Sequence, residues 1–326
     1  MRQGADKRAE RYLYATARVR ALENSMLGRD GSLRLCDARS TDEVKREITE
    51  KYGGQSADEA LETALSCAFG EVEEMSGGDD AFDVLRYPYD CHNVKYALKC
   101  FIRGRSAKDT LSGMYGFASV DPLKVYEAAE SGDFSCLPEK MAAAAPEASA
   151  SYAKSRDPKA IDIILDAACF ADMLAKAEES GLDVLKNAVR RKIDLCNIVT
   201  ALRVMRLGGG RLMTSAMIKG GSVDPSKFSS LEGEGALWSL LRAEGYLSVA
   251  EAAVADDGFE SIEKACDECY LGLFAGTRYI AYGPEIPAAY LTNAEYEMKN
   301  LRIILAGKAS GEDPRSLRSR LREWWR

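Results

Sequence analysis

Residues 90–99 read Asp-Cys-His-Asn-Val-Lys-Tyr-Ala-Leu-Lys, and two later stretches repeat their pattern. These are residues 194–203, Asp-Leu-Cys-Asn-Ile-Val-Thr-Ala-Leu-Arg, and residues 297–306, Glu-Met-Lys-Asn-Leu-Arg-Ile-Ile-Leu-Ala. Each stretch has an acid, an asparagine three residues later, an aliphatic residue directly after that, and a leucine five residues after the asparagine. The members of this signature are Asp90, Asn93 and Leu98, then Asp194, Asn197 and Leu202, then Glu297, Asn300 and Leu305.

The signature belongs to a longer internal repeat. Its asparagines are 104 and 103 residues apart. Upstream, residues 60–62, 160–162 and 261–263 match one another at similar intervals, and downstream, Ser-Val-Asp-Pro occurs at 119–122 and again at 222–225. Matches that keep the same register in both directions predict three tandem copies of one structural unit.

The chain is predicted to be all-α. Apolar residues recur at the helical period, and strict alternation is rare. Prolines, Pro146 among them, are expected at breaks between helices. Four Asp-Pro pairs are expected to begin helices, with the aspartate as N-cap and the proline at the first helical position. They are Asp121-Pro122, Asp157-Pro158, Asp224-Pro225 and Asp313-Pro314.

The repeat predicts three helical domains. We place them at residues 1–120, which include an N-terminal extension at 1–17, and at residues 121–223 and 224–326. A unit of this length is longer than ordinary solenoid repeats of about 20–50 residues, so each copy can enclose a small core. We therefore expect three similar domains around a pseudo-threefold axis, in a hollow or funnel shape.

Composition narrows the function classes. The chain has 326 residues, of which 46% are hydrophobic, and a net charge of −7. An acidic chain is a poor nucleic-acid binder, because phosphate neutralisation requires a basic surface. Apolar runs are too short to span a bilayer, and the charged N-terminus does not resemble a signal peptide. We expect a cytoplasmic protein that reaches the membrane only through partners.

The patterns associated with catalysis and metal binding are weak. Cys266 and Cys269 have metal-ligand spacing but no second pair, so we interpret them as structural. Gly307-Lys308 lacks the other residues of a phosphate loop. The glycines at 208–210, followed by Arg211, are expected to end a helix rather than to hold an anion. His92, the one histidine, is expected to be structural. We expect no catalytic site, cofactor or metal.

The acid and asparagine of each signature lie on one helix face, because residues three apart are neighbours there. An asparagine inside a helix is tolerated when its amide finds partners on a neighbouring segment. One interpretation is a polar contact that fixes packed helices in every repeat. The other is a contact site for a partner. We favour the first, since a feature present once in each repeat serves the fold of that repeat.

The signature resembles a known family. Asp90, His92, Asn93, Lys95 and Leu98 match the first motif of a family of rotary-ATPase components, known as the C subunit in prokaryotic V/A-type ATPases and as the d subunit in eukaryotic V-ATPases. A second motif of the family is similar to the last stretch of this chain, through Glu297, Asn300, Arg302, Gly307 and Lys308. The middle copy departs most, with no basic residue at the position of Lys95.

The resemblance implies a non-catalytic, funnel-shaped subunit in the central stalk of a rotary ATPase. Such a subunit links the rotor shaft to the membrane ring that translocates protons or sodium ions, and it transmits torque during ATP synthesis or hydrolysis. Its partners would be the shaft subunits and the cytoplasmic loops of the ring, with no small-molecule substrate and no nucleic acid. It would lie on the cytoplasmic face of the membrane as a peripheral component.

Three other functions remain open from the residues alone. The chain could be a helical scaffold or adaptor of another kind. It could bind nucleic acid through residues 208–211 and the arginine-rich segment 315–326, which contains Trp324 and Trp325. It could be an enzyme that uses His92.

Overall fold

A computed structural model describes residues 12–208, 213–255 and 258–323. Every regular element in these ranges is a helix, so the predicted all-α class is confirmed. Residues 1–11 of the expected N-terminal extension lie outside the described residues, as do Gly209, Gly210, Arg211, Trp324 and Trp325.

The helices before residue 183 are α1 (Leu13–Glu23), α2 (Gly28–Cys36), α3 (Thr41–Tyr52), α4 (Ala57–Met75), the first 3-10 helix (Asp80–Leu85), α5 (Tyr87–Ile102), α6 (Ala107–Leu111), α7 (Pro122–Ser131), α8 (Glu139–Ser155) and α9 (Lys159–Ser180). Those that follow are α10 (Asp183–Arg206), α11 (Met213–Ala216), α12 (Pro225–Ser229), α13 (Glu234–Ala243), α14 (Leu247–Ala255), α15 (Phe259–Leu271), the second 3-10 helix (Gly272–Tyr279), α16 (Glu285–Ala309) and α17 (Pro314–Arg320).

The chain forms two compact units, and the first is built from its two ends. It comprises Met1–Asp79 and Leu241–Arg326. Its longest helix, α16, packs against α4 and against α1, α2 and α3. Most positions of α16 are buried, from Ile286 near its start to Gly307 near its end. A helix that is apolar on most of its circumference lies in the interior, so α16 forms the centre of this unit.

The second unit comprises Asp80–Leu240. Its centre is α9, which packs against α8, α5, α10 and the first 3-10 helix. The core-facing residues of α9 recur at the helical period and include Ile161, Leu165, Ala168 and Met173. The signature helices α5 and α10 therefore share one neighbour in this unit.

Three of the expected Asp-Pro caps are confirmed. Asp121, Asp224 and Asp313 each accept a backbone N–H of the first turn, at 2.7–3.1 Å. In each case the next residue is a proline at the start of the helix. Asp157 also accepts from the backbone N–H of Lys159, at 3.0 Å, but α9 begins only at Lys159, after the proline.

The expectation that Pro146 lies at a break between helices is wrong. This proline lies inside α8, which continues from Glu139 to Ser155. An interior proline removes one helical hydrogen bond and costs about 3 kcal/mol. The four alanines at 142–145 have the highest helix propensity, and α8 packs closely on α9. Propensity and packing together keep the helix continuous through the proline.

Candidate functional site

The three signature asparagines make the same contact. Each is fully buried. Each donates Nδ2–H to the carbonyl of a residue 21 or 22 positions later and accepts the N–H of that same residue at Oδ1, at distances of 2.8–2.9 Å. The pairs are Asn93 with Tyr115, Asn197 with Ile218, and Asn300 with Arg322. One amide thus satisfies both polar groups of a backbone residue, as a neighbouring strand would.

These asparagine–backbone pairs fix the segment that follows each signature helix. An intramolecular hydrogen bond contributes about 0.5–1.5 kcal/mol net, but leaving a buried donor or acceptor unpaired costs about 1–3 kcal/mol. Both backbone groups of Ile218 depend on Asn197, and the contact is buried. The returning chain is therefore held at a defined distance from the helix axis in all three repeats.

The signature acids of the first two repeats hold a second point on the returning segment. Asp90 accepts from the Ser119 hydroxyl at 2.6 Å and from the backbone N–H of Val120 at 2.9 Å. Asp194 accepts from the backbone N–H groups of Ser222 and Val223, at 2.9 and 3.0 Å. These partners are the repeated Ser-Val pairs that precede the Asp-Pro caps. The sequence repeat downstream of the signature is thus explained by this contact.

Ionisation of Asp90, the acid of the first signature, is nevertheless unfavourable in free energy. Burial raises the pKa of Asp90 to about 6, even though its hydrogen bonds with Ser119 and Val120 act in the opposite direction. The Asp90 side chain has no exposed surface, and water cannot stabilise its charge. The pKa of this carboxylate therefore lies well above that of an exposed aspartate.

The third acid has different partners. Glu297 accepts from the backbone N–H of Gly28 at 2.8 Å and from the Tyr52 hydroxyl at 2.5 Å. Burial raises its pKa, while these two hydrogen bonds lower it. Gly28 is the first residue of α2, where a carboxylate stabilises unpaired helical N–H groups. In this repeat the acid ties α16 to the N-terminal part of the chain.

The other residues of the first signature have structural contacts. His92 is half-buried between the rings of Tyr96 and Tyr115, at 5.9 and 4.7 Å between centroids. Burial lowers its pKa. Lys95 donates to Asp166 of α9 at 2.6 Å, and Leu98 is buried.

The later signature residues also serve packing. Leu202 is buried and Leu305 is half-buried, as is Arg302. Gly307 is buried, and a Cβ atom there would lie 2.2 Å from Leu317 Cδ2. Lys308 donates to the carbonyl of Ala38 at 2.8 Å. Gly307 therefore allows α17 to approach α16 closely, and Lys308 ties the end of α16 to the segment after α2.

The residues considered for metal binding and for nucleic-acid binding have structural roles where the structure describes them. In the described ranges, no group of three or more histidine, cysteine or acidic residues is arranged to hold a metal ion. Cys266 is buried in α15, and Cys269 is half-buried. The C-terminal arginines Arg318 and Arg320 pair with Asp37 and Glu260. Gly208 has φ of +66°, two residues after the end of α10.

One cluster has no counterpart among the sequence expectations. Asp267 of α15 accepts from the Tyr296 hydroxyl at 3.0 Å, from Lys299 at 2.5 Å and from Arg322 at 2.7 Å. Arg322 also makes the backbone contact with Asn300, and its side chain is 4% exposed. Residues 261–263 of α15 belong to the sequence repeat, but the repeat pattern does not include Asp267, four residues after Glu263.

Within the part of the chain that the structure describes, no helix is both long enough and apolar enough to cross a membrane.

Comparison with known proteins gives a consistent set of matches. The model of the family described as ATP synthase (C/AC39) subunit matches residues 15–320. The C subunit of the A-type ATP synthase of Methanosarcina barkeri is 24% identical, over 92% of this chain and 89% of its own. The C subunit of the V-type sodium ATPase of Enterococcus hirae is also 24% identical, over 94% of this chain and 96% of its own. The C subunit of the A-type ATP synthase of Methanosarcina mazei is 23% identical, over 94% and 91%.

Proposed function

Because this chain belongs to the ATP synthase (C/AC39) subunit family, we propose that it is a central-stalk subunit of a V/A-type rotary ATPase. In this role it links the rotor shaft to the membrane ring and transmits torque in proton- or sodium-coupled ATP synthesis or hydrolysis. The observation that carries the proposal is the family match, which extends over residues 15–320 rather than over one motif.

The contacts of the signature helices support a mechanical role. A subunit that transmits torque must deform little under load, and close-packed interiors with fully paired polar groups have low compressibility. Asn93 and Asp90 hold the segment after α5 at two points, and Asn197 and Asp194 do the same after α10. Such double attachment resists sliding of one segment over another.

We further propose that the subunit is non-catalytic and that its partners are the shaft subunits and the cytoplasmic loops of the ring. It would lie on the cytoplasmic face of the membrane as a peripheral component. The three repeats at 1–120, 121–223 and 224–326 would form a funnel that receives the tip of the shaft. The two compact units would then each combine helices from more than one repeat.

Affinity purification from native membranes tests this proposal. The tagged chain is expressed at its native level, membranes are solubilised in a mild detergent, and co-purifying proteins are identified by mass spectrometry. We expect nucleotide-binding subunits, shaft subunits and the ring protein. Recovery of the chain alone, or with unrelated proteins, would refute the assigned role while leaving the fold intact.

Two asparagines of α10 provide a matched pair for this experiment. Asn197 is buried in its asparagine–backbone pair, whereas Asn187 is exposed on the same helix. We expect Asn197→Ala to reduce recovery of the complex and Asn187→Ala to leave it unchanged. Equal recovery with both variants would show that assembly does not depend on the signature contact.

A further inference from the structure

Exposed apolar side chains lie at the ends of two helices of the second unit. Phe101 and Ile102, the last two residues of α5, are 54% and 38% exposed. Leu207, directly after α10, is 78% exposed. A single exposed apolar residue is ordinary, but an adjacent aromatic–aliphatic pair at a helix end is a candidate contact surface.

These helix ends lie at the same end of the unit. Lys95 and Lys99 of α5 pair with Asp166 and Asp162 of α9, at 2.6 and 2.5 Å, so the two helices run antiparallel. From the Lys95–Asp166 pair, the end of α5 and the start of α9 are each seven residues away, about 10 Å along the axis.

The neighbouring helices bring further chain ends to the same place. α10 follows α9 after a turn at Gly181 and packs against it, so α10 also runs antiparallel to α9. Its C-terminal end therefore lies beside the start of α9. α8 packs along α9 and ends at Ser155, just before that start. The ends of α5, α8 and α10 thus surround the beginning of α9.

This end of the unit is strongly basic. Residues 101–109 and 154–159 contain two acids, Asp109 and Asp157, and six exposed cations. None of the six forms an ion pair with any residue that the structure describes. They are Arg103, Arg105, Lys108, Lys154, Arg156 and Lys159. The net charge of the whole chain is −7, so the cluster opposes the overall charge of the protein.

We propose that this basic end, formed by residues 101–109 and 154–159, binds the surface of an anionic lipid bilayer directly, which departs from the sequence-based expectation of membrane contact only through partners. Phe101 and Ile102 enter the boundary between headgroups and acyl chains, and the cations meet lipid phosphates. The six cations have no ion-pair partner, among the described residues, that holds them in a fixed arrangement. A lipid surface offers both phosphates for the cations and an apolar layer for Phe101 and Ile102, whereas the backbone of a nucleic acid offers only the phosphates. Lipid therefore fits this surface better than nucleic acid does.

Vesicle binding by the purified full-length chain tests this proposal. The probes are vesicles of phosphatidylcholine alone and vesicles of phosphatidylcholine with phosphatidylglycerol in equal parts, separated by sedimentation. The test variant is Arg103→Gln/Arg105→Gln/Lys108→Gln. The matched control is Lys51→Gln/Lys124→Gln/Lys219→Gln, which removes the same charge from exposed lysines elsewhere. Melting curves establish that both variants are folded.

We expect the chain to bind the anionic vesicles and not the neutral ones, with affinity that falls as salt rises. The test variant should bind on the order of 100-fold more weakly, since each of its three cations near an anionic surface contributes about fivefold. The control should bind as the unmodified chain does. A Phe101→Ser variant should lose affinity without losing salt dependence.

Several results would overturn the proposal. Absence of binding to anionic vesicles at low salt would do so, as would equal weakening by the test and control variants. If the test variant bound vesicles normally but lost a protein in affinity purification, an acidic protein partner would occupy this surface instead. Because vesicle binding is measured on the isolated chain, its outcome is independent of the proposed role in a rotary ATPase.

Discussion

Asn197 holds both backbone polar groups of Ile218, with Nδ2 and Oδ1 each 2.8 Å from their partners. The two residues are 21 positions apart, and both are buried. The same relationship recurs at Asn93 and Asn300. The asparagine of each repeat therefore fixes one point of the chain as it returns after its signature helix.

Replacing Asn197 by alanine should destabilise the protein by about 2–5 kcal/mol, because both polar groups of Ile218 would be buried without partners. Thermal melting is the measurement, with Asn187→Ala as the matched control. Asn187 is exposed on the same helix, and its substitution should change stability by about 0.5 kcal/mol or less. Similar melting temperatures for the two variants would contradict this account of the asparagine–backbone pair.

The stability contribution of Asp90 should depend on pH. Its pKa is about 6 in the folded protein, against 3.8 for an unperturbed aspartate, so the folded state binds the proton more tightly than the unfolded chain does. Ionised Asp90 therefore costs stability above pH 6, and the cost declines as pH falls through 6 towards 4. Because of Asp90, the folded protein should be about 1 kcal/mol more stable at pH 5 than at pH 8.

The pH dependence is isolated by comparison with Asp90→Asn, which cannot ionise. The melting temperature of the unmodified protein, relative to the variant, should rise between pH 8 and pH 5. If the melting temperatures of the two proteins changed in parallel over this range, the pKa of Asp90 would lie outside it, which would contradict this prediction. Asp224→Asn provides a contrast. Hydrogen bonding lowers the pKa of this exposed cap, so the melting temperature of the unmodified protein relative to this variant should not rise between pH 8 and pH 5.

Tyr52→Phe should destabilise the first unit by about 1–3 kcal/mol, since it removes a hydrogen bond to the buried Glu297 carboxylate. It should also raise the pKa of Glu297, because the Tyr52 hydroxyl lowers it. Tyr14→Phe is the control, as Tyr14 is 67% exposed. Chemical denaturation of both variants measures the difference, and no difference would mean that the carboxylate finds another donor.

Gly307→Ala should destabilise the packing of α17 on α16 by about 1–3 kcal/mol. The added Cβ would lie 2.2 Å from Leu317 Cδ2 and 2.8 Å from Glu312 Oε2. Gly70→Ala is the control in another helix, where a Cβ meets no atom within 4 Å. It should stabilise the protein by about 0.4–1 kcal/mol. Melting shifts of the same sign in both variants would contradict the close approach.

Much of the local structure could be predicted because it depends on short-range chemistry. The helical period indicated the class, and Asp121, Asp224 and Asp313 cap helices as their Asp-Pro pairs indicated. The family expected from the signature is confirmed. The prediction for Pro146 is wrong because the propensity of neighbouring alanines and the packing of α8 outweigh the local penalty.

Contacts between distant segments could not be predicted in the same way. Glu297 occupies the signature position of Asp90, yet its partners are Gly28 and Tyr52, more than 240 residues away. A repeat pattern predicts equivalent positions but not which segment meets each of them. Asp267 illustrates the same limit, because its three donors come from two other segments and only the folded chain brings them together.

The most direct test of the coupling role compares ATP hydrolysis with ATP-driven ion uptake in native membrane vesicles that lack this chain. The account predicts that the purified chain restores ion uptake linked to hydrolysis, that Asn187→Ala restores it equally, and that Asn197→Ala restores less. Full ATP-driven uptake in vesicles without the chain would contradict the proposed link between shaft and ring.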